Sequence, residues 1–165
     1  MSRSGKLDLT TPSDREVALT RRFEAPPHLV WEAFTRPDLI KRWMYGLEDW
    51  RLQVCSLDLR PGGALRYEWH GPDGAIMGLS GAFQEVDPPH RMVHTELFDE
   101  DWTGGETVIT TTFAPEGPDG TVVTMTIRYA SPEARDGALK TGMAEGMEMS
   151  YVRLDGLLAE GAVAG

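Results

Sequence analysis

Residues 75–95 constrain the fold more than any other part of this sequence. They form two largely apolar stretches on either side of the segment Asp87-Pro88-Pro89-His90. Because proline cannot donate a hydrogen bond to a strand ladder and favours turns, this spacing predicts two strands joined by a stiff turn. Such a hairpin is expected to be part of an antiparallel sheet.

The remaining patterns place this hairpin in a longer series of elements. A first strand is predicted at Glu16–Phe23, and Pro27 begins two short helices that Pro37 separates. Alternating apolar residues then predict six consecutive strands, with a bulge near Cys55 and Ser56, where the alternation changes phase. The sequence therefore predicts an α+β fold with a curved, seven-stranded antiparallel sheet.

A long helix is predicted at the end of the chain. It begins at Ser131-Pro132, where a hydroxyl can cap the helix, and it runs to about Glu160. Its apolar side chains share one stripe, formed by Leu139, Met143, Met147, Tyr151, Leu154 and Leu158. We expect this stripe to lie across the sheet, an arrangement that tends to leave a cavity between sheet and helix.

Length and composition predict one domain. A chain of 165 residues can bury a single sizeable core without disulfides or structural metal. Residues 1–13 are polar and lack periodicity, so we expect a flexible lead-in. The predicted domain spans residues 14–160, and residues 161–165 form a tail.

Charge and hydropathy disfavour several classes of partner. A net charge of −10 with only three lysines argues against nucleic-acid binding and against anionic membranes. No window reaches the roughly 18 consecutive apolar residues of a membrane span, so no membrane insertion is expected. The single Cys55 forms no internal disulfide, and the first ten residues lack an apolar signal segment. We expect a cytoplasmic protein, either monomer or homodimer.

Several segments together resemble a known superfamily. They are residues 30–37 with Trp43, residues 58–63 and 81–91, and residues 141–147 and 150–155 of the final helix. Over about residues 14–159 the chain resembles the Bet v 1-like, or START-like (SRPBCC), helix-grip superfamily. Within it the chain is similar to the bacterial stand-alone proteins of the activator of Hsp90 ATPase homologue 1 (AHSA1) domain family.

The resemblance implies a seven-stranded sheet that grips the C-terminal helix around a hydrophobic pocket. Members of the superfamily bind lipids, hormones or polyketides, act as cyclases, or contact chaperones. Two positions depart from the family pattern: Met147 stands where many bacterial members have Trp, and His94 stands near a position that is commonly aromatic. Both departures are expected to reshape or polarise the pocket.

Aromatic and methionine side chains form the candidate ligand-binding set, because such side chains make adaptable surfaces for flat or greasy ligands. The set consists of Trp43, Tyr67, Trp69, Met77, Phe83, Met92, Met143 and Met147. The alternative is that these residues are simply the core that any domain of this size requires.

His94 and Glu96 are the candidate catalytic pair. They lie two positions apart on a predicted strand and are therefore expected to face the same side, where Glu96 could orient the imidazole for proton transfer. Tyr67 could stabilise a developing enolate beside them. A metal site that adds His70 is a weaker alternative, and we expect neither a metal nor a cofactor.

Two other residues are considered individually. Trp102 lies in an acidic, glycine-containing loop suited to a lid over the pocket, although a solvated hairpin turn is the alternative. Cys55 is expected to be buried filler rather than a nucleophile. Phosphate-binding loops and nucleophile elbows are absent from the sequence.

Three functions remain open. The leading hypothesis is that a small hydrophobic or aromatic molecule, lipid-like or polyketide-like, binds between the sheet and the last helix. The second is a polyketide cyclase or aromatase that uses the same pocket. The third, implied by the resemblance, is association with an Hsp90-type chaperone through an acidic outer surface.

Overall fold

The computed structural model describes residues 6–45, 47–101 and 104–161. Its strands form one antiparallel sheet in the order β1-β2-β8-β7-β6-β5-β4-β3. The strands are β1 (Asp8–Thr10), β2 (Glu16–Phe23), β3 (Arg51–Leu57), β4 (Ala64–His70), β5 (Ile76–Asp87), β6 (Arg91–Phe98), β7 (Thr107–Glu116) and β8 (Gly120–Arg128). The hairpin predicted from residues 75–95 is confirmed as β5 and β6.

Four α-helices complete the described chain, together with one turn of 3-10 helix at Pro72–Gly74. They are α1 (Pro27–Thr35), α2 (Pro37–Ile40), α3 (Pro132–Leu139) and α4 (Met143–Ala159). Pro27 and Pro37 each occupy a first helical position, where the missing backbone N–H costs nothing. The predicted pair of short helices is therefore confirmed, and it lies between β2 and β3.

The strand count was wrong. The described residues contain eight strands rather than seven, because β1 lies within the segment predicted as a flexible lead-in. Leu9 of β1 pairs with Leu19 of β2, and the side chain of Leu7 packs against buried residues of the core. A three-residue strand is too short to show a period of two in the sequence.

The single helix predicted from Ser131 to about Glu160 is also wrong. The structure has α3 and α4, separated near Gly142, whose φ of 77° is left-handed and incompatible with a continuous right-handed helix. The predicted start is confirmed, since the Ser131 hydroxyl accepts a hydrogen bond from the Ala134 N–H at 3.1 Å. Of these two helices, α4 supplies the residues that are buried in the main core, and α3 packs on a second apolar cluster that includes Val17 and Ile109.

The bulge lies at a different residue from the one predicted. The β3–β4 register shifts between Leu52 and Val54, whereas the sequence placed the irregularity near Cys55 and Ser56. Across the described residues, no helix is long and apolar enough to cross a membrane.

The main core lies between the sheet and three helices. Phe23 of β2, Phe34 of α1 and Tyr151 of α4 are buried there, with Trp43 from the segment after α2. Tyr151 contacts Phe23 edge-on, with ring centroids 5.0 Å apart. These aromatic contacts fix α4 across the inner face of the sheet, which is the arrangement that leaves room for a site.

Candidate ligand-binding cavity

A cavity of about 200 Å³ lies between the sheet and α4. Strands β4 to β8 supply one wall, and α1, α4 and the segment after α2 supply the other. Its lining is apolar apart from a few side chains, notably His94 and Glu96. A gap therefore remains in the middle of the core, where close packing is the rule.

Five of the eight predicted ligand-binding residues line this cavity: Trp43, Tyr67, Trp69, Met92 and Met147. Phe83 is buried next to the cavity, with its ring centroid 5.8 Å from that of His94. Met77 and Met143 do not line the cavity but lie in an adjoining surface groove. A role in ligand binding stays a prediction for all eight.

The sequence reasoning missed other lining residues. Three of them, Ile109, Met125 and Ile127, come from β7 and β8. On β8 Met125 and Ile127 alternate with threonines, which marks an inward face, but this pattern gives no indication that a cavity rather than packed core lies in front of it. Phe34 and Tyr151 also line the cavity, one on each helix that covers the sheet.

His94 and Glu96 face the same side of β6, as predicted, and their side chains are in contact. The His94 Nε2 and Glu96 Oε2 atoms are 2.9 Å apart, and the two side chains are 8% and 19% exposed. An ionised carboxylate only accepts hydrogen bonds, so when the ring is neutral its proton lies on Nε2. Nδ1 is then an acceptor, and within the described residues it is buried without a partner.

Tyr67 lies near this pair. Burial raises the pKa of its phenol well above the usual value, and negative charge on Cys55, once its thiol ionises, and on Glu96 acts in the same direction. The hydroxyl therefore stays protonated at neutral pH and is available as a hydrogen-bond donor. The pair and Tyr67 give the cavity a small polar region in an apolar interior, while a catalytic role for them stays a prediction.

An open groove of about 410 Å³ adjoins the cavity on the surface. Met44, Trp69 and Met147 line both spaces and therefore form the boundary between them. Trp69 is held in place because its Nε1 donates a hydrogen bond to the Met44 carbonyl at 2.8 Å. A ligand that entered from the groove would pass these three side chains.

The segment that follows α2 forms one wall of the groove and is bound to α4. Ser150 donates a hydrogen bond from Oγ to the Tyr45 carbonyl at 2.8 Å, and an Arg153 nitrogen contacts the same carbonyl. The Arg153 guanidinium also lies 3.7 Å above the Tyr45 ring, which is the geometry of a cation–π contact. These contacts set the position of the groove wall relative to α4.

The other predicted elements are placed as follows. In the part of the chain that the structure describes, no three His, Cys, Asp or Glu side chains converge as a metal site requires. His70 lies near Glu68, with 3.6 Å between the two side chains, and is not part of the His94–Glu96 pair. Trp102, the predicted lid, lies outside the described residues.

An antiparallel sheet that grips a C-terminal helix around an apolar cavity defines the helix-grip class of the Bet v 1-like superfamily. The chain belongs to the family described as activator of Hsp90 ATPase homolog 1-like protein, whose model matches residues 24–159. The family predicted from the sequence is thereby confirmed.

Solved structures agree with this assignment. A Rhodobacter sphaeroides protein is 36% identical, with a TM-score of 0.90, over 94% of this chain and 99% of that one. The Mycobacterium smegmatis protein Ms6760 is 29% identical, with a TM-score of 0.78, over 92% and 95% of the two chains. An AHSA1-like protein from Aeromonas hydrophila, 24% identical over 88% and 94%, shares the fold with a TM-score of 0.69. The curated proteins contain no match to the chain.

Proposed function

We propose that the protein binds a small hydrophobic or aromatic molecule in the cavity between the sheet and α4. The observation that carries this proposal is the cavity itself, about 200 Å³ of space lined mostly by apolar side chains between the sheet and α4. A core that served stability alone would gain free energy by filling this space, at about 24 cal/mol per Å³ of cavity.

The volume indicates the size of the ligand. An engineered apolar cavity of about 150 Å³ in another protein takes up benzene. A cavity of about 200 Å³ therefore has room for a substituted ring or a small fused pair of rings. A longer ligand would extend past Met147 into the adjoining groove.

The boundary residues support entry from the groove. Met44 and Met147 are unbranched and can adopt several rotamers, so they can move aside at low cost. Trp69 offers a flat surface on which an aromatic ligand can stack. Most pockets for small molecules have this composition, with apolar walls and few polar groups.

The test is a fluorescence titration with N-phenyl-1-naphthylamine, an uncharged probe that becomes bright in apolar surroundings. Met147→Trp should weaken binding at least tenfold, because the larger side chain occupies cavity volume. Met149→Trp is the matched control, since Met149 lies on the same helix, is 37% exposed and does not line the cavity. Equal affinities for the two variants, or no binding by the wild type, would contradict the proposal.

A second candidate function is catalysis of ring closure on a flexible polyketide. The contact between His94 and Glu96 favours it, because a carboxylate that orients a histidine is a common acid–base arrangement. With a linear poly-β-ketone as substrate, the protein would accelerate cyclisation and His94→Ala would remove the acceleration. Association with an Hsp90-type chaperone stays a prediction that rests on the family resemblance.

A further inference from the structure

We infer that the molecule bound in this cavity is uncharged and carries a hydroxyl group that donates a hydrogen bond to Glu96, as an aromatic alcohol or phenol would. This inference rests on the proposed function and specifies the chemistry of the ligand. It follows from which polar groups line the cavity and which of them are already engaged.

The described lining of the cavity has no permanently cationic side chain. Neither lysine nor arginine is among the described lining residues, whereas Glu96 brings a carboxylate. A fatty acid or another anionic ligand would place a second carboxylate in this apolar space with no lysine or arginine to pair it. Burying an unpaired charge is costly, and a like charge nearby increases that cost.

The indole donors at the cavity are already used within the protein. Trp43 donates from Nε1 to the Ala33 carbonyl at 2.9 Å, and Trp69 donates to the Met44 carbonyl. They are therefore not available to hold an acceptor group of the ligand. Polar recognition therefore falls to Glu96 and His94 on the sheet side and to the hydroxyls of Tyr67 and Tyr151, of which that of Tyr151 is buried without a partner among the described residues.

Glu96 has one oxygen available. Its Oε2 is engaged by His94 at 2.9 Å, while Oε1 forms no hydrogen bond with any residue that the structure describes. A carboxylate oxygen can only accept, so the group that completes it must be a donor. The unpartnered Nδ1 of His94 is likewise an acceptor when the ring is neutral. Both atoms match a ligand hydroxyl.

Three probes that share a two-ring scaffold test this chemistry by isothermal titration calorimetry at neutral pH. They are naphthalene, which has no polar group, 2-naphthol, which donates a hydrogen bond, and 2-naphthoate, which is an anion. A hydrogen bond to a charged acceptor predicts that 2-naphthol binds about tenfold more tightly than naphthalene. We expect 2-naphthoate to bind the weakest of the three.

Glu96→Gln should lower the affinity for 2-naphthol about tenfold, raise that for 2-naphthoate, and leave naphthalene unchanged, which shows that the cavity is intact. Glu106→Gln is the control, because Glu106 is exposed and lies next to Thr107, the cross-strand partner of Glu96. This control should leave all three affinities unchanged.

The outcomes separate the two proposals. If naphthalene and 2-naphthol bind equally, or 2-naphthoate binds most tightly, the ligand chemistry inferred here is overturned while the binding function stands. If Glu96→Gln changes none of the affinities, the inferred role of Glu96 is likewise overturned. If no probe binds to the wild-type protein, both proposals are overturned.

Discussion

The guanidinium group of Arg21 on β2 binds both carboxylate oxygens of Asp155 on α4, with nitrogen–oxygen distances of 2.8 Å for each. Glu148 of the same helix lies 3.2 Å from Arg21 Nε, and the guanidinium carbon is 5.0 Å from the centre of the Phe23 ring. Burial lowers the pKa of Arg21, but these carboxylates raise it, and the net shift is upward. This partly buried ion pair, in which Arg21 is 3% exposed, links α4 to β2.

Arg21→Leu is expected to lower the free energy of unfolding by about 2–3 kcal/mol, since it removes charge-assisted hydrogen bonds to both carboxylates. Arg60→Leu is the control, because the Arg60–Asp58 pair lies on the surface and is worth at most about 1 kcal/mol. Urea denaturation of both variants measures the difference. Equal losses of unfolding free energy in the two variants would show that the Arg21–Asp155 pair does not hold α4 in place.

Two glycines four residues apart should respond in opposite ways to alanine. Gly142→Ala is expected to cost about 1 kcal/mol, because its φ of 77° is strained for any residue with a Cβ. Gly146→Ala is expected to gain about 0.5–1 kcal/mol, because it lies inside α4 and a Cβ there meets no atom within 4 Å. If both substitutions changed the free energy of unfolding in the same direction, the break between α3 and α4 would be contradicted.

Cys55 makes stability depend on pH under alkaline conditions. Burial raises the pKa of its thiol from 9.0 to about 12, although the charge of Lys41 acts in the opposite direction. Because the folded-state pKa is raised, this contribution to stability is complete below pH 9.0 and is lost as the pH rises towards 12. Cys55→Ala should therefore lose less unfolding free energy than the wild type between about pH 8 and pH 11. If the unfolding free energies of the wild type and Cys55→Ala fell in parallel as the pH rose, this role of Cys55 would be refuted.

Much of the fold could be predicted because prolines mark the starts of helices and the turns, and because alternating apolar and polar residues mark the strands. Pro27 and Pro37 fixed the start of each short helix, and the Asp87–His90 turn fixed the hairpin. The break between α3 and α4 could not be predicted in the same way. The apolar stripe continues on both sides of Gly142, so only the backbone angle at that residue reveals the interruption.

Part of the candidate site could also be predicted from the alternation along single strands. A period of two places His94 and Glu96 on one face of β6, and the structure shows them in contact. The same reasoning could not separate Met77 from Met92, because a pattern along one strand does not show what lies opposite it. Met77 is 39% exposed and lies in the groove, whereas Met92 is buried at the cavity.

The methionines provide the most direct test of the central claim that the interior cavity, rather than the groove, holds the ligand. Met92 and Met125 line only the cavity, Met77 and Met143 line the groove but not the cavity, and Met149 lines neither. Methyl NMR spectra of protein labelled with 13C at the methionine methyl groups would be recorded with and without N-phenyl-1-naphthylamine. The account predicts that the Met92 and Met125 resonances shift on saturation and that of Met149 does not. Shifts confined to Met77 and Met143, or no shifts at any of these methyl groups, would contradict it.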